Sequence, residues 1–163
     1  MNEPTLLRSA RLTALLVAGI LAGCGGDSPD SLIASGKSFL AKNDSKAAVI
    51  QFKNALQQNP NLGEARFLLG KALLDGGDAR SAEIELRKAF DVKYSPELTI
   101  PLLAKAMLAD GQAKKVVDEF SSTEFSGEAA AILKTSLSQA YRVTGNQEAA
   151  QVALAAALVA KPD

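Results

Sequence analysis

Residues 29–62 read PDSLIASGKSFLAKNDSKAAVIQFKNALQQNPNL, and this stretch decides the fold because the chain returns to it at a period of 34. Blocks 29–62, 63–96, 97–130 and 131–163 align without a gap. One column holds Gly36, Gly70, Ala104 and Ser138; the next informative one holds Phe39, Leu73, Met107 and Tyr141. Further on come Asn43, Gly77, Gly111 and Gly145, then Ala48, Ala82, Val116 and Ala150. Phe52, Leu86, Phe120 and Leu154 follow, then Ala55, Ala89, Thr123 and Ala157, with Pro60 and Pro162 closing the first and fourth blocks. Six columns do not stay in phase over four blocks by chance. A period of this length marks an array of supersecondary units, each burying its apolar face on the next.

Each block predicts two helices. In the first, helices are expected over about 31–41 and 45–58, with Lys42-Asn43-Asp44 as the turn. Ala48, Val49, Phe52, Ala55 and Leu56 make one apolar stripe at helical spacing. Asp44 or Ser45 can cap the second helix. Glycine in the turn column suits a left-handed helix end, and Asn43 is the next best residue there. The second block predicts helices over about 62–74 and 79–92. The third departs: it has Glu128 in place of the closing proline and Thr123 in place of alanine, and Pro96 and Pro101 crowd its first helix. A proline inside a helix costs about 3 kcal/mol, so that helix is expected to start near Pro101 or to kink, and its partner to stop by Ser121. The fourth block recovers, with a last helix over 147–160.

The columns resemble the tetratricopeptide repeat, a helix–turn–helix unit with a large apolar residue, Gly and an aromatic on its first helix, and Ala, an aromatic or Leu, Ala and then Pro on its second. Leu32, Gly36, Phe39, Ala48, Phe52, Ala55 and Pro60 stand at those positions. The resemblance implies an all-α, right-handed superhelical α-solenoid of about four such units. Small residues at Gly36, Ala48 and Ala55 would let helix axes approach to about 8–10 Å. The aromatic columns, Phe39, Phe52, Phe120 and Tyr141, are then core rather than a stacking platform.

The first 23 residues are not fold. Arg8 and Arg11 precede an apolar run from Leu12 to Leu21, too short for the roughly 20 residues a membrane span needs, and this is the pattern of a signal peptide. Its end, Leu21-Ala22-Gly23-Cys24, resembles the lipobox of bacterial lipoproteins. That resemblance implies cleavage before Cys24, acylation of Cys24 and, because Gly25 rather than Asp follows, an outer-membrane location facing the periplasm, with the inner membrane as the alternative. Several acyl chains suffice for stable anchoring. Residues 24–28 form a linker that spans at most about 17 Å. The expected division is therefore a cleaved leader 1–23, a lipidated linker 24–28, repeats 29–62 and 63–96, a degenerate repeat 97–130, and a repeat 131–163.

Composition narrows the function. Among 163 residues there is no histidine and one cysteine, and the formal net charge is zero. No Ser–His or Cys–His dyad and no cysteine zinc cluster can form within the chain, and no basic patch with interleaved aromatics suggests nucleic acid. Glu83/Glu85 and Asp118/Glu119 are not spaced to share a helix face and read as solvated charge. No catalytic residue, cofactor or metal is expected. Lys37, Lys71 and Lys105 each follow the small-residue column. In tetratricopeptide domains that register looks into the concave groove, which implies a lysine ladder with Ile33, Phe67 and Pro101 among its apolar rungs and Arg142 beyond it. The alternative is lysine as filler on an exposed helix face. A last helix rich in Ala, Val and Leu suggests either the front of a longer array or an interface.

Lipobox, short linker and immediate repeats, with phrases such as Ala47-Ala48-Val49-Ile50-Gln51-Phe52, together resemble the tetratricopeptide lipoproteins of exosortase (PEP-CTERM) loci, which are longer than this chain and accompany exopolysaccharide synthesis and export. The resemblance implies a non-catalytic scaffold that holds protein partners in its groove and meets the membrane through Cys24. Two rivals share the architecture: a pilus or outer-membrane-protein assembly lipoprotein, and a module that binds anionic polysaccharide directly.

Overall fold

The computed structural model describes residues 27–160, which form eight α-helices and no strand. They are α1 (Pro29–Ala41), α2 (Ser45–Gln58), α3 (Gly63–Asp75), α4 (Ala79–Asp91), α5 (Pro96–Ala109), α6 (Ala113–Phe120), α7 (Gly127–Val143) and α8 (Gln147–Ala160). Helices pair α1 with α2, α3 with α4 and α7 with α8; α2 packs on α3, α4 on α5, and α5 on α7, so neighbours follow one another along the chain. This serial packing is that of an α-solenoid. The leader, the lipobox and Cys24 lie outside the described residues.

The turn column sets where the first helices stop. Asn43, Gly77, Gly111 and Gly145 all have positive φ, between 59° and 87°. At each, the residue's own N–H reaches the carbonyl three positions back, and the following N–H reaches one five back, as in Asn43 N to Leu40 O and Asp44 N to Phe39 O, both 2.9 Å. These paired bonds satisfy carbonyls that the helix end leaves open. The next residue then caps the following helix: Asp44 accepts from Ala47 N at 3.0 Å, Asp78 from Ser81 N at 3.1 Å, and Asn146 from Ala149 N at 3.1 Å. Ser28 caps α1, which starts at Pro29, where proline's missing N–H costs nothing.

The small-residue column sets how closely the helices pack. Gly36, Gly70, Ala104 and Ser138 are all buried. A Cβ built on Gly36 would lie 2.7 Å from Phe52 Cζ, and one on Gly70 would lie 2.6 Å from Leu86 Cγ. A Cβ at either place would force a shift of the large residue of the partner helix that is seated over the glycine. Ser138 takes the same position by turning its hydroxyl onto Ala150 O at 2.8 Å. Phe52 and Phe120 are buried, and Phe39 and Tyr141 pack half-buried against the core, as the columns imply.

Unit three corrects the sequence reading at its start. Helix α5 does not begin near Pro101; it begins at Pro96 and carries Pro101, buried, inside it. Pro96 occupies the first turn, Ser95 O accepts from both Leu98 N and Thr99 N, and the Thr99 hydroxyl donates to Tyr94 O at 2.7 Å. This anchoring, with Ile100, Leu103, Ala104 and Met107 in the main core, outweighs the one backbone hydrogen bond that Pro101 cannot make. The second helix of that unit ends at Phe120, as expected. Helix α7 starts at Gly127, ahead of the 131 boundary, and packs broadly on α5, whereas α3 meets α5 only at its margin.

Candidate functional site

The residue after each small one is held on an outward face because the small one is clamped inward. Lys37, Lys105 and Gln139 are exposed and Lys71 is partly so. The sequence thus placed its ladder on one register, and its members stay accessible, but their surroundings differ. The Lys37 amine lies 2.5 Å from a Glu64 oxygen on the neighbouring α3, and this bond, with the charge of Glu64, holds the amine above its ordinary pKa. Lys71 pairs within its own helix with Asp75 at 2.7 Å. Lys105 is in no ion pair among the described residues. Two of the three ammonium groups are therefore matched by carboxylates, and the face carries mixed charge.

The apolar rungs are a correction. Ile33 and Pro101 are buried, and Phe67 is only 9% exposed. The Phe67 ring packs against Tyr94, with centroids 5.5 Å apart. Burial, and then the nearby charge of Glu64, push the Tyr94 hydroxyl above its ordinary pKa. Phe67 supports the face from beneath and is not free to contact a ligand. Each of these residues stands three before a buried small one and so points toward the same side of the helix, which is why it joins the core. Arg142 is exposed beside Gln139, Val143 and Gln147, around a recess of 390 Å³.

Glu83 and Glu85 are not simply solvated, contrary to the spacing argument. Arg66 meets Glu85 at 2.6 Å with both side chains about 15% exposed, and Arg66 Nε also donates to Pro60 O at 2.8 Å. Glu83 accepts from Gln112 and faces Arg87, which bonds Glu119 of α6 at 2.7 Å. Helix spacing could show Glu83 with Arg87, four residues apart, but not the other pairs, whose partners sit 19 to 32 residues away.

A feature absent from the sequence reading is a groove of 580 Å³ between α5, α7 and α8, bordered by Lys105, Glu128, Ile132, Thr135, Leu154 and Leu158. Its signal was present in the register: Thr135, Ala157 and Leu158 stand 102 residues after Ile33, Ala55 and Leu56. Among the described residues no cluster of three or more metal-ligating side chains occurs, and no helix is long and apolar enough to cross a membrane.

Fold and face together define an all-helical chain of α-solenoid type in which one register, Lys37, Lys71, Lys105 and Gln139, is at least partly exposed in every unit. No protein-family model matches the chain, and no curated protein matches its sequence.

Proposed function

We propose that this chain is a non-catalytic tetratricopeptide scaffold, a right-handed superhelix held at the periplasmic face of the outer membrane by acylated Cys24, that binds protein partners in exopolysaccharide synthesis or export or in PEP-CTERM protein sorting. One observation carries the binding role. The register of Lys37, Lys71, Lys105 and Gln139 recurs once per unit on an accessible face, while the residue before each is locked in the core. A repetitive polar surface on a rigid scaffold suits an extended partner. The carboxylates beside Lys37 and Lys71 favour a protein over a polyanion, because each pair already neutralises its ammonium. The lipobox motif supports the anchor, and the linker of residues 24–28 would keep the first unit near the bilayer.

The test is surface exopolysaccharide in a host strain lacking the gene. Loss of polymer, restored by the wild-type chain but not by Cys24→Ser, is the expected result. Unchanged polymer in the deletion strain would overturn the exosortase reading and favour pilus or outer-membrane-protein assembly. Full rescue by Cys24→Ser would overturn the anchor. Binding of the isolated partner that collapses between low and high salt would restore the anionic-polymer alternative.

A further inference from the structure

The outward sides of α2 and α4 carry one pattern twice. Lys46 and Ile50 of α2 recur 34 residues on as Arg80 and Ile84 of α4, and all four are exposed, the isoleucines by 57% and 49%. Lys53 completes the stripe on α2. Its charge adds to the bonds from Ser81 that hold Asp78 below its ordinary pKa, which places Lys53 beside the start of α4. Lys46, Lys53 and Arg80 are in no ion pair among the described residues. The nearby carboxylates are otherwise engaged. Helix α2 has none, Glu83 and Glu85 are taken by Arg66, Arg87 and Lys88, Asp44 and Asp78 turn back onto helix N–H groups, and Asp91 stands at the far end of α4. In unit three the same register holds Lys114 and Asp118, paired at 2.8 Å, and in unit four Glu148 and Val152. Unmatched cations beside an exposed isoleucine thus belong to the first two units alone.

We infer that this side of α2 and α4 lies on an anionic phospholipid surface, with Ile50 and Ile84 in the interface and Lys46, Lys53 and Arg80 among the headgroups. A single exposed isoleucine needs no explanation. The same one in two successive units, flanked by unmatched cations, makes a surface whose charge and apolar centre complement a lipid interface. The path of the chain points the same way. Gln58 Nε2, in the last turn of α2, donates to Asp27 O at 2.9 Å. Three residues separate Asp27 from Cys24, a reach of about 10 Å, so an acyl anchor on Cys24 would hold the bilayer beside α2. The inference rests on that proposed anchor and specifies which side of the chain the anchor turns to the membrane.

The test is amine acetylation of the acylated chain on vesicles of phosphatidylcholine, with and without phosphatidylglycerol, read residue by residue by mass spectrometry. Lys46 and Lys53 should react about fivefold more slowly when phosphatidylglycerol is present. Lys71 and Lys105, on first helices, should react at the same rate in both lipids. Ile50→Glu combined with Ile84→Glu should restore the faster rate at Lys46 and Lys53. Both isoleucines are exposed, so the double substitution should leave circular dichroism and thermal unfolding unchanged. Equal rates in the two lipids, or slowing that survives the double substitution, overturns the inference. Protection that appears only on adding polyglutamate would also overturn it, by giving the face to an acidic protein. The anchor has its own readout, flotation with vesicles of phosphatidylcholine alone, which Cys24→Ser should abolish. Flotation that survives Cys24→Ser overturns the anchor, whereas equal acetylation rates in a chain that floats through Cys24 overturn the lipid face alone.

Discussion

Units two and three share a register but not a geometry. In unit two, α4 is 13 residues long, starts under a capping Asp78 and seats Leu86 over Gly70. In unit three, α6 has 8 residues, and Gln112 at the capping position makes no cap bond: its amide nitrogen donates to Glu83 and Asp110, and its amide oxygen accepts from Lys115 at 2.9 Å. The chain then runs through Ser121-Ser122-Thr123 to Gly127 before α7 begins. A helix of two turns cannot cover the 17 residues of α7, so α7 settles on α5 as well. The comparison teaches that the second helix of a unit acts as a spacer: where it is short, first helices come into contact with each other.

The largest test of that statement is Leu133→Ala. Leu133 is fully buried in the core that joins α7 to α5, and removing it should cost about 2–5 kcal/mol, measured by urea unfolding. A loss no larger than that of an exposed substitution such as Leu154→Ala would break the comparison. Next come paired substitutions in the small-residue column. Gly70→Leu should destabilise by about 1–3 kcal/mol through overpacking against Leu86. Ala104→Gly, at the same register in unit three, should cost about 0.5–1 kcal/mol for backbone freedom alone. Thermal unfolding of both variants separates a site that refuses a Cβ from one that uses it.

A smaller effect is expected from Gln112→Asn. Asn146 caps α8 from this register, and an added cap on α6 should stabilise by about 0.5–1 kcal/mol, less whatever the lost bond to Glu83 supplied. No gain in the urea midpoint would mean that α6 is short for a reason other than its start. The smallest effect separates the two capping positions by pH. Side-chain and backbone bonds from Ser81 hold the Asp78 carboxyl below its ordinary pKa. Its contribution is therefore present above the usual carboxylate range and lost as pH falls through the folded value. Melting temperatures of wild type and Asp78→Asn should differ at neutral pH and converge in acid. A difference that persists at the lowest pH would show that ionisation of Asp78 is not what caps α4.

The helices and turn of unit two were readable from residues alone because the devices that set them are local. Asp78 accepts from an N–H three residues on to cap α4, and Gly77 turns the chain at its own φ. Unit three was readable only in outline. Pro101 argued against a helix starting at Pro96, and the anchoring of that start by Ser95, Thr99 and Tyr94, with the burial of α5, decided otherwise. Lys37 is exposed and Lys71 partly so, but their carboxylate partners and the burial of Phe67 against Tyr94 were not foreseen.

The sequence by itself determined the period of 34, the positions of most helices, the turns with positive φ, and which small residues lie beneath the larger ones. All of these depend on backbone preference and on side-chain periodicity within a few neighbouring residues. Only the tertiary structure decided that α7 packs on α5, that Arg66 and Arg87 find Glu85 and Glu119, and that a groove stands open beside Leu154 and Leu158. Those outcomes depend on distances between residues far apart in the chain, and a repeating register fixes which faces meet without fixing how much of each face its neighbour covers.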